Sequence, residues 1–167
     1  MGTIMISIKR SLIILITFGI AIVLDTISMP PFFEAIRPHW ATMTMLFWSI
    51  KLRYHFSIGW AWFSGLLLDI SKSYVWGLHG FIFTLLCYLI KRYYPRIRSL
   101  TLPEQTILIP VVFIAQSLIA IWVNGVLGNA TPSFIHWIMP IIVSSLFWPI
   151  LNIILNEICE IFGITDQ

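Results

Sequence analysis

The chain has 167 residues, of which 59% are hydrophobic and 10% are charged, and its formal net charge is +3. Its mean hydropathy is +0.92, whereas about 25% of the residues in an average soluble domain are charged. This composition excludes a soluble fold, and the basic residues stand in short clusters between apolar runs, so it gives no indication of nucleic-acid binding. We expect an all-α, polytopic bundle of membrane helices that forms one integral membrane domain over residues 1–167.

Apolar runs separated by polar or proline clusters predict six spans, at about 11–29, 38–50, 56–70, 75–90, 106–127 and 134–156. The first run follows Lys9 and Arg10, but no small-residue cleavage site ends it. We therefore interpret it as a retained span and not as a signal peptide. The second run reaches only about 20 Å as a helix, against a hydrocarbon core of about 30 Å, so length alone leaves a re-entrant segment open.

The distribution of basic residues decides between six and five crossings. If the second run did not cross, every later loop would change sides and most basic residues would face outward, contrary to the positive-inside rule. We therefore predict six spans with both termini in the cytoplasm. In that arrangement Lys9, Arg10, Lys51, Arg53, Lys91, Arg92, Arg96 and Arg98 lie inside, and Arg37 and Lys72 lie outside.

Three prolines fall within the last two predicted spans. Pro110 is expected in the first turn of the fifth span, where the missing N–H group costs little. Pro140 and Pro149 are expected inside the sixth span, where they predict a kink.

Two acidic residues, Asp25 and Asp69, stand near the outer ends of apolar segments, where an ionised carboxylate is costly. For each of them, one interpretation is solvation at the membrane interface or a local salt bridge. Alternatively, Asp69 faces the bundle interior and fixes the turn after the third span. Trp62, Gly65, Asp69 and Lys72 recur at helical spacing, so we predict that they share one face, that Lys72 pairs with Asp69 and that Gly65 admits a close neighbour.

The other candidates stand at or just before the starts of the second and fourth spans. Arg37 is expected to pair with Glu34 or a lipid phosphate, or else to dock an extracytoplasmic partner. Pro38 suits the first position of the second helix because its N–H is absent and its φ is fixed. Gly77 and Gly80 offer an approach surface either to a partner or to a neighbouring helix of the same subunit.

Motifs for catalysis are missing from the sequence. There is no nucleophile elbow, no HExxH motif and no Walker loop, and no spacing of His and Cys residues suggests a metal site. We predict a protein that is not an enzyme and that carries neither a metal nor an organic cofactor.

Several motifs together resemble the MreD family of bacterial rod shape-determining membrane proteins. They are Arg37-Pro38-x-Trp40, Gly65-Leu66-Leu67-Leu68-Asp69, the following Gly77, Tyr88-Leu89 and Trp148-Pro149. The resemblance covers essentially the whole chain and is most specific over residues 36–90. Its candidate residues for partner binding or for structure are Arg37, Pro38, Trp40, Gly65, Asp69, Lys72, Gly77 and Gly80.

The resemblance implies a noncatalytic scaffold of the cell-elongation machinery in the bacterial inner membrane. Members of the family bind the bitopic protein MreC. With it they connect MreB filaments to the glycan polymerase RodA and its penicillin-binding transpeptidase. Membrane lipids are further expected partners, and the resemblance leaves a homo-oligomer within the assembly open.

The family is also similar in fold to the substrate-capture subunits of energy-coupling-factor transporters, which gives an alternative function. The chain would then capture a small vitamin-like ligand in an outward-facing pocket built from Trp40, Trp62, Asp69 and Trp76. Such subunits carry a stripe of small residues on the first span, for which Thr17-x-x-x-Ala21 is the nearest candidate here.

Overall fold

The computed structural model describes residues 2–28, 30, 36–52, 56–72, 76–128 and 134–164. Within these ranges the chain forms seven helices and no strand, which confirms the predicted all-α class. The helices are α1 (Gly2–Thr26), α2 (Trp40–Lys51), α3 (Ile58–Lys72), α4 (Leu78–Arg92), α5 (Tyr94–Arg98), α6 (Leu102–Val126) and α7 (Phe134–Ile161).

The short helix α2 lies at the centre of the bundle. Its residues from Ala41 to Ser49 are all buried, and it packs against α1, α3, α4 and α7. The helix is 12 residues long, which corresponds to about 18 Å. Because its neighbours cover it, its length need not match the thickness of a bilayer.

The other helices pack on α2 or on one another. The most extensive packing joins α3 to α4, whose connecting residues 73–75 lie outside the described part of the chain. Helix α1 packs on α2 and α3, while α6 packs on α7 and α4. Among the described residues, Pro103–Val126 of α6 and Ile135–Ile161 of α7 are long and apolar enough to cross a membrane. Which of the helices cross a membrane, and in which direction, remains a prediction.

The helix boundaries correct three expectations. Helix α2 begins at Trp40 with His39 as its N-cap, so Pro38 precedes the helix instead of opening it. Helix α6 begins at Leu102, so Pro110 lies inside the helix and not in its first turn. A further helix, α5, has only five residues and lies between the fourth and fifth predicted spans, where no helix was expected.

The ends of the two longest apolar helices follow from local sequence signals. A reciprocal capping box formed by Thr101 and Glu104 starts α6 two turns before Pro110. Helix α7 continues to Ile161, beyond the predicted end of the last span, and runs without interruption through Pro140 and Pro149. The kink at these prolines remains a prediction.

Candidate functional site

The carboxylate of Asp69, near the end of α3, binds the start of α4. Its Oδ2 atom accepts hydrogen bonds from the backbone N–H groups of Gly77 and His79, both at 3.0 Å. Its Oδ1 atom lies 2.7 Å from Nδ1 of His79, which must carry the proton because an ionised carboxylate only accepts. Asp69 is 1% exposed. Its side chain therefore caps the next helix from the interior of the bundle.

Two glycines make this cap possible. Gly77 is the N-cap of α4 and has a φ of 91°, a left-handed conformation that side chains disfavour. A Cβ atom on Gly65 would lie 2.5 Å from the backbone of His79 and Gly80. A side chain at position 65 would therefore separate α3 from the start of α4, and Asp69 lies one helical turn further along the same face.

Asp25, near the end of α1, caps a second helix in the same way. Its Oδ2 atom accepts a hydrogen bond of 3.0 Å from the backbone N–H of Ala41, in the first turn of α2. Its Oδ1 atom lies 3.8 Å from Nζ of Lys72. The predicted pairing of Lys72 with Asp69 is therefore wrong, because the lysine pairs with Asp25. Asp69 instead binds backbone N–H groups at the start of α4 and the side chain of His79.

Arg37 binds the carbonyl groups at the C-terminal end of α1. Its guanidinium donates to the carbonyl oxygen of Asp25 at 2.7 Å and also to the carbonyl oxygen of Ile27. A cation at a helix C-terminus is favoured by the unpaired carbonyl groups and the helix dipole. We call Asp25, Arg37, Asp69, Lys72 and His79 the end cluster. Together they hold the end of α1, the start of α2, the end of α3 and the start of α4 at one pole.

The remaining predicted candidates lie next to the end cluster or outside the described residues. Trp40 is half-buried, and its ring makes an edge contact with Phe147 of α7 at a centroid distance of 5.7 Å. Pro38 is half-buried, and its carbonyl oxygen accepts the N–H of Trp40 at 3.1 Å. Glu34, the predicted partner of Arg37, lies outside the described residues.

Neither His39 nor His79 was among the residues predicted for the site. His39 stacks on Phe113 of α6 at 5.6 Å, and its backbone N–H donates to Ser144 of α7 at 2.9 Å. His79 could have been found from the glycines on either side of it, because a helix start rich in glycine brings backbone N–H groups close to an anion. No comparable local signal points to His39, whose contacts come from distant helices.

The comparisons with known proteins agree with the motifs around the end cluster. The sequence profile of the family described as rod shape-determining protein MreD matches residues 5–158. The chain belongs to the MreD family. It is also 30% identical over 148 residues to the rod shape-determining protein MreD of Haemophilus influenzae, which covers 87% of this chain and 89% of that protein. No solved structure matches the chain.

Membership of the MreD family assigns the chain a role in the determination of rod shape and places it among membrane proteins. The motif residues Arg37, Gly65, Asp69 and Gly77 all take part in the geometry of the pole described above. In this chain, these four motif residues therefore help to join successive helices.

The residues suggested for capture of a vitamin-like ligand do not form one pocket. Asp69 is engaged by α4, whereas Trp62 is 51% exposed and Trp76 is 81% exposed. Thr17 and Ala21 are both buried, and the Thr17 hydroxyl accepts a hydrogen bond from the indole Nε1 of Trp48 at 3.0 Å. The face that carries Thr17 therefore holds α1 against α2.

Proposed function

We propose that the chain is a noncatalytic scaffold of the bacterial cell-elongation machinery, in the inner membrane. It binds an MreC-like bitopic protein and, through it, connects MreB filaments to RodA and its penicillin-binding transpeptidase. The observation that carries the proposal is that the charged side chains of the end cluster bind helix ends. Asp25, Arg37 and Asp69 bind the ends of helices, so the polar groups of the end cluster build a shape instead of exposing reactive groups.

The proposal includes six crossings with both termini in the cytoplasm. The distribution of basic residues between the two ends of the bundle supports this arrangement. Arg37 and Lys72 belong to the end cluster, whereas Lys51, at the other end of α2, donates to Asn156 of α7 at 2.5 Å. Lys91 and Arg92 also stand at the opposite end of α4 from the end cluster. This separation follows the positive-inside rule when the end cluster faces outward.

A scaffold acts through its surface, and the surface of this bundle is apolar along whole helices. Large side chains such as Ile16, Ile20 and Val23 of α1 are exposed, as are Val111, Leu118 and Trp122 of α6. In a membrane these faces contact lipid or the spans of other proteins, and helices associate there by close packing and hydrogen bonds. A bitopic protein presents one such span.

Co-purification tests the proposal. The tagged chain would be expressed with its bitopic partner and extracted in a mild detergent that keeps it monodisperse. A second tagged protein with six spans and no relation to the family would be the control. We expect stoichiometric recovery of the partner with the chain and none with the control. Recovery of a folded, monodisperse chain without the partner would overturn the proposal.

A further inference from the structure

A pocket of about 360 Å³ lies next to the end cluster. It is bounded by the start of α4, the second half of α6 and the start of α7, together with His39 before α2. Its polar lining comes chiefly from His79, Gln116, Ser117, Asn124, His136 and Trp137. These helix segments bring the pocket to the same pole as Asp69 and Arg37.

The lining has a distinct chemistry. It combines imidazole, carboxamide and hydroxyl groups with an indole ring, and among the described residues it includes no Asp, Glu, Lys or Arg. The histidines do not form a metal site, since no group of three His, Cys, Asp or Glu residues in the described part of the chain has suitable geometry. Such a surface suits an uncharged ligand with several hydrogen-bonding groups.

Gln116 is the observation that points to a ligand. Its side chain is 5% exposed and lines the pocket, and its Oε1 atom has no hydrogen-bond partner among the described residues. Buried acceptors in folded proteins nearly always have a partner, and an exception calls for an explanation such as a bound group. A donor from a ligand in the pocket supplies that partner.

Two histidines in the wall of the pocket are held in place by other parts of the bundle. His79 is held through its backbone N–H and its Nδ1 atom by Asp69. His39 is held by the ring of Phe113 and by the hydroxyl of Ser144. A preformed site loses less conformational entropy on binding than a mobile one.

We propose that this pocket binds an uncharged polyhydroxyl group of about the size of one sugar ring. Hydroxyl groups both donate and accept, so they match the carboxamides and imidazoles, and one of them donates to Gln116. The flat indole of Trp137 packs against the C–H face of such a ring. The ligand is either a soluble sugar or the sugar headgroup of a glycolipid that reaches the pocket from the membrane.

Thermal unfolding in the presence of two probes tests the proposal. The chain would be purified in a zwitterionic detergent, because glycoside detergents would compete, and placed in phospholipid nanodiscs. Free glucose is one probe, and glucosyl diacylglycerol incorporated into the discs is the other. We expect the unfolding midpoint to rise by about 5 °C when a probe is present at about 100 times its Kd. A response to glucose indicates a soluble ligand, and a response to the glycolipid alone indicates a headgroup.

Two variants and one control locate the binding. Gln116→Leu removes the acceptor, and Ala120→Leu fills the pocket while keeping Gln116, so each should reduce the midpoint shift at least about fivefold. Gln105→Leu is the matched control, because Gln105 lies on the same helix, also has an unpaired Oε1 atom and does not line the pocket. The proposal is overturned if neither probe shifts the wild-type midpoint. It is also overturned if both pocket variants respond as the wild type does.

Discussion

Asp69 is a buried acid whose charge has a structural use. An ionised carboxylate inside a membrane costs several kcal/mol, about 2.5 to 3.5 on insertion scales. Here the carboxylate receives the N–H groups of Gly77 and His79 and the Nδ1 atom of His79. The two backbone N–H groups would themselves be unpaired at the start of α4. The buried carboxylate and the buried N–H groups therefore satisfy each other, and their hydrogen bonds fix the junction of α3 and α4.

Replacement of this carboxylate should be more harmful than replacement of Asp25. We expect Asp69→Leu to lower the free energy of unfolding by about 2–4 kcal/mol, because it removes a helix cap and leaves several buried donors unpaired. Asp25→Leu removes one backbone hydrogen bond and a loose ion pair at 3.8 Å. Its cost should be smaller, and it should disturb recovery of the bitopic partner less.

Unfolding by sodium dodecyl sulfate in mixed micelles and quantitative co-purification measure the two effects. Asp69→Glu is a useful control, since it keeps the charge but displaces the oxygens from their positions opposite the donors at the start of α4. Equal losses of stability and equal partner recovery for Asp69→Leu and Asp25→Leu would contradict the prediction.

Some of this residue-level picture could be predicted from the sequence. Helical spacing predicts that Gly65 and Asp69 share a face, and both lie toward α4. The partner of Lys72 could not be predicted, because Asp25 belongs to a different helix, and helical spacing relates only residues within one helix. His79 was missed for a similar reason, since it belongs to α4, and the helical spacing of α3 does not reach it.

At the scale of elements, the α3 and α4 pair depends on how closely two backbones approach. A Cβ atom on Gly65 would lie 2.5 Å from backbone atoms of His79 and Gly80, which cannot move aside as a side chain can. A Cβ atom on Gly80 would meet only the side chains of Leu66 and Trp62, at 3.4 Å and beyond. The two glycines therefore differ in role although both face the same interface.

This difference gives a matched pair of substitutions. We expect Gly65→Ala to destabilise the chain by about 1–3 kcal/mol, as overpacking of a close interface does. Gly80→Ala should be neutral or stabilising by up to about 1 kcal/mol, because alanine favours the helical backbone. Unfolding in mixed micelles measures both, and a loss from Gly80→Ala as large as that from Gly65→Ala would show that the interface lacks this asymmetry.

The positions of the helices could be predicted better than their packing order. Apolar runs predict the six long or medium helices, because burial in a protein and burial in lipid require similar side chains. For the same reason they do not predict that α2, the shortest of these six, is the most buried. Nor does hydropathy give the start of α6, which the capping box of Thr101 and Glu104 sets ahead of Pro110.

For the whole molecule, the central place of α2 removes the objection to its crossing. A lipid-facing helix of about 18 Å would be too short for a core of about 30 Å. Because other helices surround it, α2 needs only to be covered by them. Charge and packing thus favour the same six crossings.

Cysteine labelling distinguishes six crossings from five. Both native cysteines, Cys87 and Cys159, are buried, so the unaltered chain should react little with a membrane-impermeant maleimide. With six crossings, Trp76→Cys, at a side chain that is 81% exposed before α4, should react in intact spheroplasts. Ser99→Cys, at an exposed position before α6, should react only after permeabilisation.

If α2 does not cross, the labelling pattern of the two cysteine variants is reversed. Every later loop would then change sides, which would shield Trp76→Cys in intact spheroplasts and expose Ser99→Cys. The pair is therefore internally controlled, since a chain that is unfolded or leaky would react at both positions. Labelling of Ser99→Cys alone in intact spheroplasts would overturn the arrangement of six spans with cytoplasmic termini, because it would place the loop after Asp69 on the cytoplasmic side, away from any extracytoplasmic partner.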